Sequence, residues 1–142
     1  MTRSRHQFGW TAVLLAVTIA LGLASRRYRD VLPFVITEYA GDTLWATAVF
    51  FMLRLVRPAA SGLTLAAVTL AIAFSVEFSQ LAHPPWLDAF RQQPGVALVL
   101  GYDFVPTDLV CYTAGVGLAW AIDALPGVMQ PGTSNPSTPA SR

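Results

Sequence analysis

No lysine occurs in the 142 residues, and the nine basic side chains are all arginine. Against eight Asp or Glu they leave a formal charge of +1, which builds neither a broad basic surface for nucleic acid nor an acidic tail, so nucleic acid is not an expected partner. Cysteine is limited to Cys111 inside an apolar run. That excludes a disulfide framework or a Cys-based zinc site and reads Cys111 as a packing residue. No H-E-x-x-H or other dedicated metal or nucleophile motif is present; no metal and no cofactor are expected. Charge of either sign is scarce: 12% of residues, where a soluble domain carries about 25%. A disordered chain is excluded by the same figures, since disorder requires low hydrophobicity and high net charge.

What the chain has in abundance is apolar sequence, 54% of residues with mean hydropathy +0.52. A membrane helix needs ~20 apolar residues to cross a ~30 Å hydrocarbon core. Four stretches approach this, at about 8–24, 39–56, 62–82 and 107–125. The expected fold is therefore all-α, an integral membrane four-helix bundle forming one domain over 1–125, with the lipid bilayer as its surroundings. The tail at 126–142, rich in Pro, Ser, Thr and Gly, offers nothing to bury and reads as disordered. Arg3 and Arg5 before an apolar stretch ending Gly22-Leu23-Ala24 also fit a cleaved signal peptide. The length of the stretch, Arg26 and Arg27 behind it, and an i+4 stripe of Ala12, Ala16, Ala20 and Ala24 argue for a retained span.

With four antiparallel crossings, the connections 25–38 and 83–106 share one side of the membrane and the 57–61 turn lies on the other. Within 83–106, Trp86, Leu87 and Phe90 share one helical face and Asp88, Arg91 and Gln92 the other, which suits a short interfacial helix; Pro94-Gly95 ends it before apolar Val96 to Leu100. This topology gathers Arg26, Arg27, Asp42, Glu77, Gln80 and Asp108 into one candidate polar pocket, with Ser25 beside it and His83, Asp88, Arg91 and Asp103 above. His83 has no spacing partner and reads as a loop residue rather than a ligand. Asp123 falls at the opposite end near Arg54 and Arg57, as a local salt bridge or solvated end. Trp10, Trp45, Trp86 and Trp120 sit near helix ends or in the loop, where indole rings favour the interface.

Glu77 is about five residues inside the third stretch, roughly 7 Å below its end at ~1.5 Å per residue. An acid at that depth faces the bundle interior or a wet cavity and is a functional-site candidate. Gln80, at i+3, shares its face. Ala67, Ala71, Ser75 and Ser79 form a small-residue stripe roughly opposite Glu77, so the third helix is expected to pack on that stripe and offer its acid on the other side. Cys111, Gly115 and Ala119 form a similar stripe about 60° from Asp108. Such stripes also allow a homo-oligomer. The arginines divide almost evenly between the two sides; if the N-terminal pair dominates, the N-terminus is cytoplasmic and the polar cluster faces away from the cytoplasm.

The segments Gly22-Leu23-Ala24-Ser25-Arg26-Arg27, Tyr39-Ala40-Gly41-Asp42-Thr43-Leu44-Trp45, Phe74-Ser75-Val76-Glu77-Phe78-Ser79-Gln80 and Thr107-Asp108-Leu109 together resemble the short bacterial proteins grouped as DUF2809, a domain of unknown function, over about 20–125. The resemblance implies a multi-pass protein of the bacterial inner membrane and names no activity. More distantly, an Asp opening the second span, E-x-x-Q closing the third, and an Asp seven residues before Gly115 resemble the VanZ-like membrane proteins, linked to glycopeptide tolerance and the cell envelope. The Lys and His that follow the second-span Asp there are absent from Asp42-Thr43-Leu44-Trp45, and Tyr112 or Thr113 replaces the Asn before the final Gly.

Several uses of the pocket stay open. Arg26 and Arg27 can pair with Asp42, Glu77 or Asp108 merely to neutralise charge and fix helix register, or anchor the first span at the headgroups. The leading expectation is a non-enzymatic, envelope-associated role, binding an anionic lipid headgroup or a membrane partner through Arg26, Arg27, Glu77 and Asp108. The alternatives are a small enzyme acting on a lipid-linked phosphate, with Glu77 and Asp108 as acid and base or joined by Asp42 around a divalent cation, and an oligomeric transporter.

Overall fold

A computed structural model of the chain describes residues 2–125, with side chains from Gln7 onward, as six helices with no strand among the described residues. They are α1 (Thr2–Arg27), α2 (Phe34–Val56), α3 (Gly62–Ser79), α4 (Pro85–Arg91), α5 (Pro94–Leu100) and α6 (Pro106–Ala124). The all-α expectation is met. Four long helices lie on the four apolar stretches, α2 beginning earlier than expected, behind Pro33. The expected disordered tail lies outside the described residues. Proline opens α4, α5 and α6 at the first helical position, where a missing N–H leaves no bond unmade. Ser61 caps α3, its Oγ accepting from the Thr64 amide at 3.1 Å.

By length and composition, two helices suffice to cross a membrane, α1 over Gln7–Arg27 and α3. Asp42 and Arg54 in α2, and Asp108 and Asp123 in α6, dilute the apolar character of the other two. The single interfacial helix expected between the third and fourth stretches is instead two short helices, α4 and α5. Pro94 ends one at its i−4 clash and starts the next.

Helix α2 is central: α1 packs along it, α6 packs on both α2 and α3, and α2 also touches α3. The core comprises Ala46, Phe50 and Phe51 of α2, Leu65 and Ala73 of α3, and Tyr112, Val116 and Ala119 of α6. The stripe expected on α6 is buried, and at Gly115 the helices are so close that any β-carbon would run into the Thr43 carbonyl. The Thr47 hydroxyl sits at this approach, 2.9 Å from the Thr43 carbonyl of its own helix and 3.0 Å from that of Gly115 on α6.

On α3 and α1 the expected stripes are not the packing faces. Ala67, Ala71 and Ser75 are exposed, and the buried stripe is Leu65, Thr69, Ala73 and Glu77, so the acid lies on the packed side. On α1, Ala16 and Ala20 are exposed while Thr11, Thr18 and Ser25 are buried. The hydroxyls of Thr11, Thr18, Ser25 and Thr69 each donate to a carbonyl about one turn back, at 2.7–2.9 Å, which lets small polar residues pack inward without an orphaned hydroxyl.

Candidate functional site: a polar cleft at one end of the bundle

The last turn of α1, the first turns of α2 and α6 and the last turn of α3 meet at one end of the bundle, where α5 closes over them. Between them lies a cleft of about 370 Å³. Of the six residues expected to converge, Arg26, Asp42, Gln80 and Asp108 line it. Arg29, Glu38 and Asp103 add charge that the expected set lacked, and Trp45 and Tyr112 form aromatic walls with ring centroids 5.5 Å apart.

Arg26 is the cation nearest Asp42, Nη2 to Oδ1 3.8 Å, and its side chain stays 45% exposed. Its guanidinium lies across Gly41, where a β-carbon would sit 3.3 Å from Nε. The glycine thus leaves a shelf on α2 for a planar cation from α1. Arg27, expected beside it, does not line the cleft and is exposed: one residue along a helix is a turn of 100°, which carries it to another face.

Glu77, also expected in the pocket, does not line it. It is fully buried, and both oxygens are engaged: Oε1 accepts from the Val105 amide at 2.7 Å and Oε2 from the Tyr112 hydroxyl at 3.1 Å. The carboxylate ties the end of α3 to the loop entering α6. Gln80 is 4% exposed and donates from Nε2 to the Leu100 carbonyl at 2.7 Å, leaving its buried Oε1 without a partner among the described residues. Gly101 permits this contact. It has φ +62°, and a side chain there would collide with the Gln80 amide.

Arg91, expected on the polar face of an interfacial helix above the pocket, is fully buried. Nη1 donates to the Ala82 carbonyl at 2.9 Å and Nη2 to the Ser79 carbonyl at 2.6 Å, so the side chain caps the carbonyl end of α3. The helical face containing Asp88 and Arg91 is therefore the inner one, and Trp86, 71% exposed, and Phe90 point away from the bundle. His83 Nδ1 lies 3.3 Å from Asp88 Oδ1, a local partner invisible in the spacing. At the opposite end Asp123 is bound by both Nε and Nη2 of Arg54, as a salt bridge between α6 and α2.

Two guanidiniums and four carboxylates thus line the cleft. Such a lining accommodates an anionic group at Arg26 and Arg29 next to a donor or cation at Asp103 and Asp108. Among the described residues no three His, Cys, Asp or Glu are grouped to hold a metal ion.

No solved structure matches the chain. A family model described as "Protein of unknown function (DUF2809)" matches residues 31–116, a span that holds α2 to α5 and the first half of α6 and starts after Arg26. As that match covers more than half of its length, the chain belongs to the DUF2809 family.

Proposed function

We propose that the protein is a multi-pass protein of the bacterial inner membrane, its four long helices crossing the bilayer, which holds the polar headgroup of a membrane lipid in the cleft. The anionic part of the headgroup meets Arg26 and Arg29, and a hydroxyl or ammonium part meets Asp103 and Asp108. The crossing is supported by the outer surface. Val13, Val17 and Leu21 of α1, Leu63, Val68 and Ile72 of α3, and Val110 and Leu118 of α6 are all exposed, more apolar surface than a water-soluble monomer leaves uncovered. The outward Trp86 and Phe90 of α4 fit a helix lying at the headgroup level beside the cleft.

The observation that carries the ligand reading is Arg26. A guanidinium presents five N–H donors, and this one has a single ion pair at 3.8 Å and lies flat at the cleft wall, so most of its donors are available. The acid–base pair expected of Glu77 and Asp108 cannot form in the cleft, because Glu77 does not line it and is closed off behind Tyr112. Binding without chemistry is therefore the better-supported use.

The test is calorimetric titration of the detergent-purified full chain with glycerophosphoethanolamine, a deacylated lipid headgroup. Loss of a charge-assisted contact in Arg26→Gln should weaken binding about tenfold or more, with the melting temperature unchanged. Equal affinity in the variant, or no binding by the parent protein, would overturn the reading.

A further inference from the structure

The polar cleft does not end at its charged rim. It continues along the α1–α2 seam as an apolar groove of about 140 Å³, and Arg26, Gly41, Trp45, Leu98 and Val99 belong to both. Beyond them the groove is floored by Leu44 and Ala48 of α2 and walled by Ile19, Gly22 and Leu23 of α1. Gly22 has no side chain to fill the seam, the nearest atom to its missing β-carbon being Leu44 Cβ at 3.7 Å. The one hydroxyl in the lining, that of Thr18, is already committed to the Leu14 carbonyl at 2.7 Å, so beyond Arg26 and Trp45 at its head the groove is apolar.

We infer that this groove seats the hydrocarbon chain of the same lipid whose headgroup occupies the cleft, an inference that rests on the headgroup reading above. Three features select this occupant. The groove shares five lining residues with the cleft, so head and chain of one molecule fit end to end. From Gly41 to Ala48 it follows about 10 Å of helix, a length suited to the upper part of a chain. Its volume is small against the bulk of a helix, whose diameter is about 10–12 Å, which favours a single narrow chain over a partner segment of that kind. Leu98 and Val99 of α5 cover the passage from head to chain, which gives that short helix, with no buried residue of its own, a role.

The experiment places the full-length protein in nanodiscs of phosphatidylethanolamine and phosphatidylglycerol doped with phosphatidylethanolamine carrying a diazirine on an upper chain carbon. Illumination and peptide mapping then compare labelling at Ile19 and Ala48 with the lipid-facing baseline at Val68 and Ile72 of α3. Labelling in the groove should exceed the baseline about fivefold or more. Arg26→Gln should return it to baseline, since the head no longer anchors the chain. Ile19→Trp, at a half-exposed position that tolerates bulk, should abolish groove labelling while leaving glycerophosphoethanolamine affinity in detergent unchanged. Baseline labelling with headgroup affinity intact overturns the chain groove and spares the headgroup cleft. Enriched labelling that ignores Arg26→Gln means that the chain is held independently of the headgroup contact and overturns the single-lipid assignment, whereas loss of both labelling and headgroup affinity overturns both.

Discussion

Glu77 joins two helices that are 28 residues apart in sequence at their point of contact, satisfying the Val105 amide just before α6 and the Tyr112 hydroxyl within it. Removing an acceptor from a buried donor costs about 1–3 kcal/mol per orphaned group, whereas losing a single neutral hydrogen bond costs about 1 kcal/mol. Glu77→Ala should therefore lower stability by about 2–6 kcal/mol, and Glu77→Gln, which keeps an acceptor for Val105, by about 1 kcal/mol. Thermal melting in detergent checks the order; a Glu77→Ala protein melting with the parent would show that the carboxylate bears no structural load. The depth of Glu77 in an apolar helix was legible from its position alone. Its partners were not, because a backbone amide leaves no mark in a sequence. Arg91 was opaque for the same reason: its partners are the carbonyls of Ser79 and Ala82, and the side-chain pattern of α4 reveals which face is polar without revealing which way that face turns.

Helix α6 approaches α2 backbone to backbone where Gly115 faces Thr43. Gly115→Ala must push the helices apart or bend them, and overpacking of this kind costs about 1–3 kcal/mol. Gly117, two residues on, has open space where a β-carbon would stand; Gly117→Ala should be neutral or stabilising by up to about 1 kcal/mol through its effect on helix propensity. Denaturation of the two variants side by side in detergent checks the contrast, and similar losses at both positions would defeat the close-approach account. The existence of the long helices was legible because apolar runs of that length have few other uses. Their facing was not, because a helix that is apolar all round has no amphipathic side, and small residues do not by themselves show which face packs. The small-residue stripe identified the α6 face and misled on α1 and α3. A better signal was available: Thr11, Thr18 and Ser25 recur every seven residues on α1, and Thr69 stands two turns before Glu77 on α3. In an apolar helix, hydroxyls spaced by whole turns mark the face that packs into the bundle, since polar residues there seek the interior. The cleft was legible as far as helix-end topology reaches. The contribution of α5 was not, because its Leu100 carbonyl and Gly101 backbone act through main-chain geometry.

Across the whole molecule, the two ends of the bundle use charge differently. At one end Arg54 and Asp123 neutralise each other as a mostly buried pair; at the other, Arg26, Arg29 and the cleft acids remain partly open. This changes the arginine count that sets orientation in a membrane. Arg54 is bound to Asp123 and Arg91 is buried in the carbonyl end of α3, so neither acts as a free flanking charge. That leaves Arg3, Arg5, Arg57 and the remote Arg142 on one side against Arg26, Arg27 and Arg29 on the other, a near-even count that gives weight to the first helix, whose N-terminal arginines favour the cytoplasm. On the four-span arrangement proposed above, we expect the 57–61 turn to face the cytoplasm and the cleft, with α4, the opposite side. Both Ala59 and Gln92 are exposed and lie at these opposite ends. In a Cys111→Ala background, Gln92→Cys should react with a membrane-impermeant maleimide added to cells with a permeabilised outer membrane, and Ala59→Cys only after the inner membrane is broken. The reverse pattern would invert the orientation and turn the cleft toward the cytoplasm, while labelling of both from one side would show that α3 does not cross, and with it the four-span arrangement would fall.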